Sequence, residues 1–141
     1  MRSNPRRFVM AVGVLLLSLP ALAQDVKLIT SKAEIDRILN SIPSNDRSMP
    51  YKTLAERLPN LGLVVNDIAF GKLQADEIRI SQGLYWPGDV LYQFSTNEPN
   101  DAVKRICPIW RSFSLLRRGN RWLPQDRTSN FLLNGYACNA P

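Results

Sequence analysis

The N-terminal segment constrains the fold most, because it decides where the folded domain begins and in which compartment it folds. Three arginines precede an almost wholly apolar run over residues 9–19, and Pro20 and Ala21-Leu22-Ala23 follow it. A positive start, a short apolar region and a small-x-small pattern are typical of a secretory signal peptide. The run is short for a membrane span, which disfavours an uncleaved anchor helix. The sequence therefore predicts a cleaved signal peptide over residues 1–23 and a single domain over residues 24–141.

Export changes how the charge of the chain is interpreted. The full chain carries 18 Lys and Arg against 12 Asp and Glu, which gives a net charge of +6. The predicted signal peptide contains three of these arginines and no acidic residue, so the mature chain has a net charge of +3. The smaller charge and the exported location both disfavour nucleic acid as a partner. No second apolar stretch approaches the length of a membrane span, so we expect a periplasmic or extracellular protein with no transmembrane segment in the mature chain.

The two cysteines, Cys107 and Cys138, both lie in the mature chain. In an oxidising compartment an even number of cysteines favours an intramolecular disulfide over a free thiol or an intermolecular bridge. Closing a loop of about 30 residues stabilises a fold by about 3–4 kcal/mol in the chain-entropy model. Because the chain contains no histidine and no other cysteine, we expect no metal site and no cofactor.

The first part of the mature chain has the features of two helices. Ser31 and Glu34 form a Ser-x-x-Glu capping box, and apolar residues recur at three- and four-residue spacing over residues 35–42. Pro50 suits the first turn of a second helix, which Pro59 ends. Helices are therefore predicted over these two segments.

The later part of the chain has the features of strands. Residues 77–81 alternate between polar and apolar, which predicts a strand with one solvated face, and residues 90–95 predict another. A short helix is expected after Asn100 or Asp101. The runs 112–118 and 121–123 flank Gly119-Asn120, which predicts a hairpin with glycine first in a type II′ turn.

Helices that precede antiparallel strands predict an α+β fold. We expect two N-terminal helices packed on a small antiparallel sheet, with one disulfide that joins the residues before the hairpin to the C-terminal end and closes the last sheet edge.

The residue types present limit the chemistry available to the chain. Without histidine, Ser-His and Cys-His nucleophile systems are excluded, and a carboxylate pair is the remaining hydrolytic option. The nearest candidates are Asp76, Glu77 and Asp89, but adjacent acids on a strand point to opposite faces. We interpret all three as solvated acids at strand ends and assign no catalytic residue.

The loop over residues 83–88 is the most distinctive segment, because Tyr85 and Trp86 stand beside one proline and between two glycines. Large rigid side chains on an exposed turn make good anchors for a partner. The alternative is that both rings fold back as a lid on the core, since aromatic side chains bury a large area. The sequence leaves both interpretations open.

The charge is distributed unevenly along the mature chain. Residues 24–100 have a balance of −2, whereas residues 101–141 have a balance of +5, with several arginines close to the hairpin. Arginine presents a planar fork suited to carboxylates and phosphates. The hairpin is therefore a candidate binding surface, and the alternative is an ordinary solvated sheet face.

These features together predict a small exported binding protein, such as an inhibitor or immunity-type partner of a protein that acts in the cell envelope. The alternatives are a carboxylate-dependent enzyme acting on cell-wall polymer and an envelope component that binds anionic lipid or polymer. The predicted binding residues are Arg117, Arg118, Arg121, Trp122, Tyr85 and Trp86.

Overall fold

A computed structural model describes residues 23–48, 50–73, 77–106 and 111–135. Within these ranges the chain forms five strands and five helices. The strands are β1 (Ala23–Ile29), β2 (Val65–Leu73), β3 (Val90–Thr96), β4 (Ser112–Arg118) and β5 (Arg121–Pro124). The helices are α1 (Lys32–Asn40), α2 (Leu54–Asn60), α3 (Glu77–Ser81), α4 (Asp101–Ile106) and α5 (Arg127–Asn134).

The five strands form one sheet in which their order along the sheet is their order along the chain, β1-β2-β3-β4-β5. Every neighbouring pair is antiparallel. The α+β class is thus confirmed. The element order differs from the prediction, because β1 precedes α1 and α2 and lies at the edge of the sheet beside β2. These two helices are therefore inserted between the first two strands and do not precede the whole sheet.

The predicted signal peptide and the predicted disulfide both involve residues outside the described ranges. Strand β1 begins at Ala23, the last residue of the predicted signal peptide, and pairs there with Leu73. Residues 1–22 lie outside the described ranges, and so do Cys107 and Cys138. The signal peptide and the disulfide therefore stay predictions. None of the helices in the described ranges is both long and apolar enough to cross a membrane.

Helix α1 begins as the capping pattern predicts, since Ser31 Oγ accepts a hydrogen bond from the Glu34 backbone N–H at 3.5 Å. Helix α2 begins later than predicted, because Thr53 and Glu56 form a reciprocal capping box and Pro50 lies ahead of the helix. A capping box satisfies two of the free N–H groups at a helix start, which fixes the start more strongly than an upstream proline does.

The segment Glu77–Ser81 is helical, so the prediction of a strand over residues 77–81 is wrong. None of its residues is buried, and Ile78 and Ile80 both point to solvent. Alternation predicts a strand only when one set of side chains packs on a core, and here neither set does. Five residues are also too few for the two periods to be told apart reliably.

The hairpin prediction is confirmed by the pairing of β4 with β5. Arg118 lies opposite Arg121, so Gly119-Asn120 is a two-residue loop. Gly119 has a φ of 61°, a backbone conformation that side-chain-bearing residues rarely adopt. The short helix predicted after Asn100 is also present as α4, and Asn100 Oδ1 accepts a hydrogen bond from the Val103 N–H at 2.9 Å.

The sheet has one face covered by helices and a second, more open face. On the helical face, α1 packs on β2, α5 packs on β4 and β5, and α2 packs against both helices, around a core that includes the stacked rings of Phe94 and Phe113. On the open face, a smaller cluster forms around the buried residues Leu73, Leu91 and Leu116. Because neighbouring residues of a strand point to opposite faces, the register decides which face each predicted binding residue occupies.

Candidate binding surface

The strand register divides the predicted binding residues between the two faces of the sheet. In β4, Leu115 packs in the core of the helical face and Leu116 in the cluster of the open face. Arg117 therefore projects on the helical side and Arg118 on the open side. Trp122 lies opposite Arg117, and Arg121 lies opposite Arg118. The six predicted residues do not form one surface.

Trp122 and Arg117 form a contact at the margin of the helical face. The Trp122 ring packs edge-on against Tyr92 with a centroid distance of 4.9 Å and adjoins the main core. The Arg117 guanidinium lies over the Trp122 ring, 5.5 Å from its centroid, and Arg117 Nε donates to the Gly119 carbonyl at 3.2 Å. Trp122 thus serves mainly as a core residue and is a poor candidate anchor.

Arg118 makes a two-point ion pair with Asp89 on the open side. Its Nε donates to Asp89 Oδ1 at 3.0 Å, and its Nη2 donates to Asp89 Oδ2 at 2.9 Å. The Asp89 side chain is only 1% exposed, so its interpretation as a solvated acid is wrong. Arginine matches a carboxylate in this bidentate way more closely than lysine does, which makes the pair geometrically specific.

Trp86 lies on the outer side of this ion pair. The Arg118 guanidinium is 4.4 Å from the centroid of the Trp86 ring, and the Trp86 backbone N–H donates to Asp89 Oδ2 at 2.7 Å. The Trp86 side chain nevertheless stays 54% exposed. The structure therefore favours the exposed-tip interpretation for this residue, because the ring is held in place without being buried.

Tyr85 takes the opposite role from its neighbour. It is half-buried and packs against the cluster of Leu73, Leu91 and Leu116. The Arg79 guanidinium lies 5.9 Å from the centroid of its ring. Tyr85 thus acts as the lid that the sequence offered as an alternative, and it anchors the loop that presents Trp86.

Further exposed apolar side chains lie on the same connection between β2 and β3 as Trp86. Leu84 of the loop and Ile78 and Ile80 of α3 are exposed. The Leu84 N–H donates to the Arg79 carbonyl at 3.0 Å, which folds the loop back onto α3. We call the set Leu84, Trp86, Arg118 and Arg121 the Trp86 surface, with Ile78 and Ile80 at its flank.

The ion pair also sets the protonation of Asp89. Burial by itself raises the pKa of this carboxyl. The hydrogen bonds from Arg118 and from the Trp86 N–H, together with the charge of Arg118, lower the pKa by a larger amount, so the net shift is downward. The same pair raises the pKa of Arg118. Asp89 is therefore ionised at neutral pH with both oxygens engaged, an arrangement unsuited to a general acid. Glu77 is exposed, and Asp76 lies outside the described residues.

A second buried ion pair, which the sequence did not reveal, joins Asp46 to Arg57. Arg57 Nη2 lies 3.1 Å from Asp46 Oδ2, and both side chains are buried. Arg57 Nη1 also donates to the Leu132 carbonyl at 2.6 Å, and its guanidinium lies over the Phe131 ring. Arg57 thus joins α2 both to the loop that precedes it and to α5 beneath the surface, so the role of the pair is structural.

Among the described residues, no group of three or more acidic, cysteine or histidine side chains is placed to hold a metal ion. Comparisons of the chain with models of known protein families, with curated proteins and with solved structures gave no significant match.

Proposed function

We propose that this chain is a small exported binding protein that holds a partner protein of the cell envelope through the Trp86 surface, in the manner of an inhibitor or immunity protein. The observation that carries the proposal is the exposed Trp86 ring, which stacks on Arg118 at 4.4 Å while Asp89 fixes Arg118 from below.

Pre-organisation is the physical argument for this surface. A binding site gains affinity when its anchors are already ordered, because ordering them on association costs about 0.5–1.5 kcal/mol for each flexible side chain. Trp86 is ordered by its own backbone bond to Asp89 and by the stacked guanidinium. Tryptophan and arginine are also the residue types that contribute most binding energy at protein interfaces.

The composition of the surface suggests the character of the partner. Leu84 and Trp86 are exposed and apolar, and the exposed Arg121 of β5 lies opposite Arg118 in the hairpin. Asp89 neutralises Arg118, whereas Arg121 forms no ion pair with any acidic side chain in the described part of the chain. This arrangement suits a partner with an apolar pocket for the Trp86 ring and an acidic rim.

The test is capture of one protein from an envelope extract, followed by affinity measurement with that purified protein. Trp86→Ala is expected to weaken binding by about 2 kcal/mol, or about 30-fold in Kd, as for a buried hot spot. Arg121→Glu is expected to reduce the association rate and its salt dependence. Leu28→Ala removes a comparably exposed apolar side chain of β1, outside both candidate sites, and serves as the matched control.

Sedimentation with vesicles tests the envelope-component alternative in the same preparation. If the surface binds anionic lipid in place of a protein, the chain sediments with phosphatidylglycerol vesicles, and this binding falls as salt rises. Such binding, with no protein captured at stoichiometric yield, would reject the proposal.

A further inference from the structure

A second candidate site lies at the other end of the sheet, where β1 ends and leaves part of β2 uncovered. Strand β1 pairs with β2 only as far as Ile29, which lies opposite Ile68. Strand β2 begins earlier, at Val65, where it pairs with Thr96 of β3. In the described part of the chain, residues 65–67 therefore have a strand neighbour on one side only, because the chain turns from Thr30 into α1.

The backbone of Val65, the first residue of this short edge, is directed toward the uncovered side, just ahead of a shift in the β2–β3 register between Val65 and Asp67. The Val64 N–H donates to Asn97 Oδ1 at 2.7 Å, and the Val64 carbonyl accepts from the Asn97 N–H at 3.0 Å, so both Val64 groups face β3. The Thr96 N–H is turned the other way, toward the Arg111 carbonyl. Since antiparallel strands alternate between these two orientations, the backbone groups of Val65 point away from β3.

An apolar groove of about 310 Å³ adjoins this edge. Its walls come from α1 and α2, and its floor comes from the segment that leads into β2. Its apolar lining includes Ile35 and Leu39 of α1, Ala55 and Leu58 of α2, and Val64 and Val65. A volume above about 300 Å³ is within the range of ligand sites. Val64 is 59% exposed at the rim, so the groove is open to solvent there.

The charges at the rim indicate what kind of occupant fits. Lys32 Nζ lies 3.1 Å from Asp36 Oδ2, so the two charged side chains that line the groove compensate each other. A charged occupant gains little from such a rim, whereas an uncharged apolar occupant fits the lining. The adjoining strand edge adds a requirement for backbone N–H and C=O groups, which an extended peptide supplies and a hydrocarbon does not.

We propose that this edge and groove bind an extended, uncharged and apolar segment of a partner protein, which adds to β2 as a short strand in line with β1. Alternate side chains of the segment enter the groove between α1 and α2, and its backbone pairs with β2 at Val65. The site lies apart from the Trp86 surface and does not depend on the function proposed for that surface.

The test uses the purified ¹⁵N-labelled protein and a panel of acetylated, amidated heptapeptides in which threonine alternates with valine, isoleucine, leucine, phenylalanine or tyrosine. We expect saturable shifts of the amide signals of residues 64–67 with at least one peptide. N-methylation of alternate peptide amides is expected to weaken that binding at least tenfold. Ala55→Phe, which fills the groove, is expected to do the same, whereas Ala33→Phe on the exposed side of α1 leaves binding unchanged.

Three results would overturn the proposal. The first is the absence of shifts at residues 64–67 with every peptide of the panel. The second is equal binding of the N-methylated peptides, which would make the groove a site for side chains alone. The third is self-association in sedimentation that shifts the same amides without peptide, which would assign the groove to a second copy of the chain. The N-methylated peptides require no variant, so the test stands even if the Ala55→Phe protein does not fold.

Discussion

Asp89 and Arg118 form a two-point ion pair that joins the start of β3 to the end of β4, with donor–acceptor distances of 3.0 and 2.9 Å. The pair is placed by the register, in which Val90 lies opposite Arg117. Because Trp86 stacks on Arg118 and donates its N–H to Asp89, the geometry of the exposed ring depends on both members.

Removing Arg118 is expected to destabilise the fold strongly. Arg118→Ala leaves the buried carboxylate of Asp89 without its counter-charge, a change that typically costs about 3–5 kcal/mol. Asp89→Asn in the same chain is expected to recover part of this loss, because it removes the unpaired charge. Urea unfolding of both single variants and the double variant measures the coupling between them.

Arg117→Ala is the matched control for this experiment. Arg117 is the neighbouring residue on the same strand, but it is exposed and contacts only the Trp122 ring and the Gly119 carbonyl by the described interactions. Its loss is expected to change the free energy of unfolding by less than about 1 kcal/mol. Equal losses for the two arginines would contradict the structural role of the ion pair.

The stability of the fold is expected to decrease in acid through two carboxylates. Hydrogen bonds from Ser48 lower the pKa of Asp46, with Arg57 contributing, and Arg118 and the Trp86 N–H lower that of Asp89. A carboxyl whose folded pKa lies below its unfolded value contributes stability above the unfolded value, which is about 3.9 for aspartate. That contribution is lost as the pH falls through the folded pKa.

The measurement is the free energy of unfolding in urea from pH 7 down to pH 2. Asp89→Asn is expected to flatten the decrease below about pH 4. Without this carboxyl, the chain takes up one proton fewer when it unfolds in acid. Asp36→Asn, which removes an exposed carboxylate of α1, is the control. An unchanged acid profile in Asp89→Asn would show that this carboxylate does not carry the pH dependence.

Gly135, the residue that ends α5, is expected to tolerate no side chain. It has a φ of 82°, and a Cβ placed there would lie 2.5 Å from Asp46 Cγ. Gly83 has a similar φ of 74°, but a Cβ there meets no atom within 4 Å. Gly83→Ala should therefore cost about 1–2 kcal/mol from backbone strain alone.

Gly135→Ala is expected to cost clearly more than Gly83→Ala, because the new methyl group displaces Asp46 from its pairing with Arg57. Thermal unfolding of the two variants side by side separates the steric contribution from the backbone contribution. Equal melting temperatures for the two variants would mean that the contact between Gly135 and Asp46 does not matter for stability.

The disulfide between Cys107 and Cys138 is tested directly by mass. The non-reduced protein should be lighter than the reduced protein by two hydrogen atoms. Replacing both cysteines with serine is expected to lower the free energy of unfolding by about 3–4 kcal/mol, from the closure of a loop of about 30 residues. Equal masses before and after reduction would exclude an intramolecular bridge.

Local signals in the sequence predicted the elements that local interactions determine. The Ser31 cap of α1 and the Gly119-Asn120 hairpin depend on residues a few positions apart, and both are present. The capping box of Thr53 and Glu56 has a Thr-x-x-Glu pattern, equivalent to the Ser-x-x-Glu pattern of Ser31 and Glu34, and could have been found from the sequence. Helix α3 could not, because its five residues fit both periods and bury neither side.

The candidate site was only partly predictable, because it depends on pairing between distant segments. Asp89 and Arg118 are 29 positions apart, and nothing in the sequence links one acid to one arginine. The placement of Arg117 and Arg118 on opposite faces of the sheet could have been predicted from the sequence, since neighbouring residues of a predicted strand face opposite sides. Grouping them as one basic surface ignored that alternation. For Trp86 the sequence left open both an exposed tip and a lid on the core, and only the structure decides between them.

Calorimetric titration of the captured envelope protein with the wild type, Trp86→Ala and Leu28→Ala is the decisive measurement for the Trp86 surface. We predict that Trp86→Ala raises Kd about 30-fold, while Leu28→Ala leaves it within about twofold of the wild type. Equal Kd values for Trp86→Ala and the wild type, with both proteins folded, would contradict the claim that the Trp86 surface binds the partner.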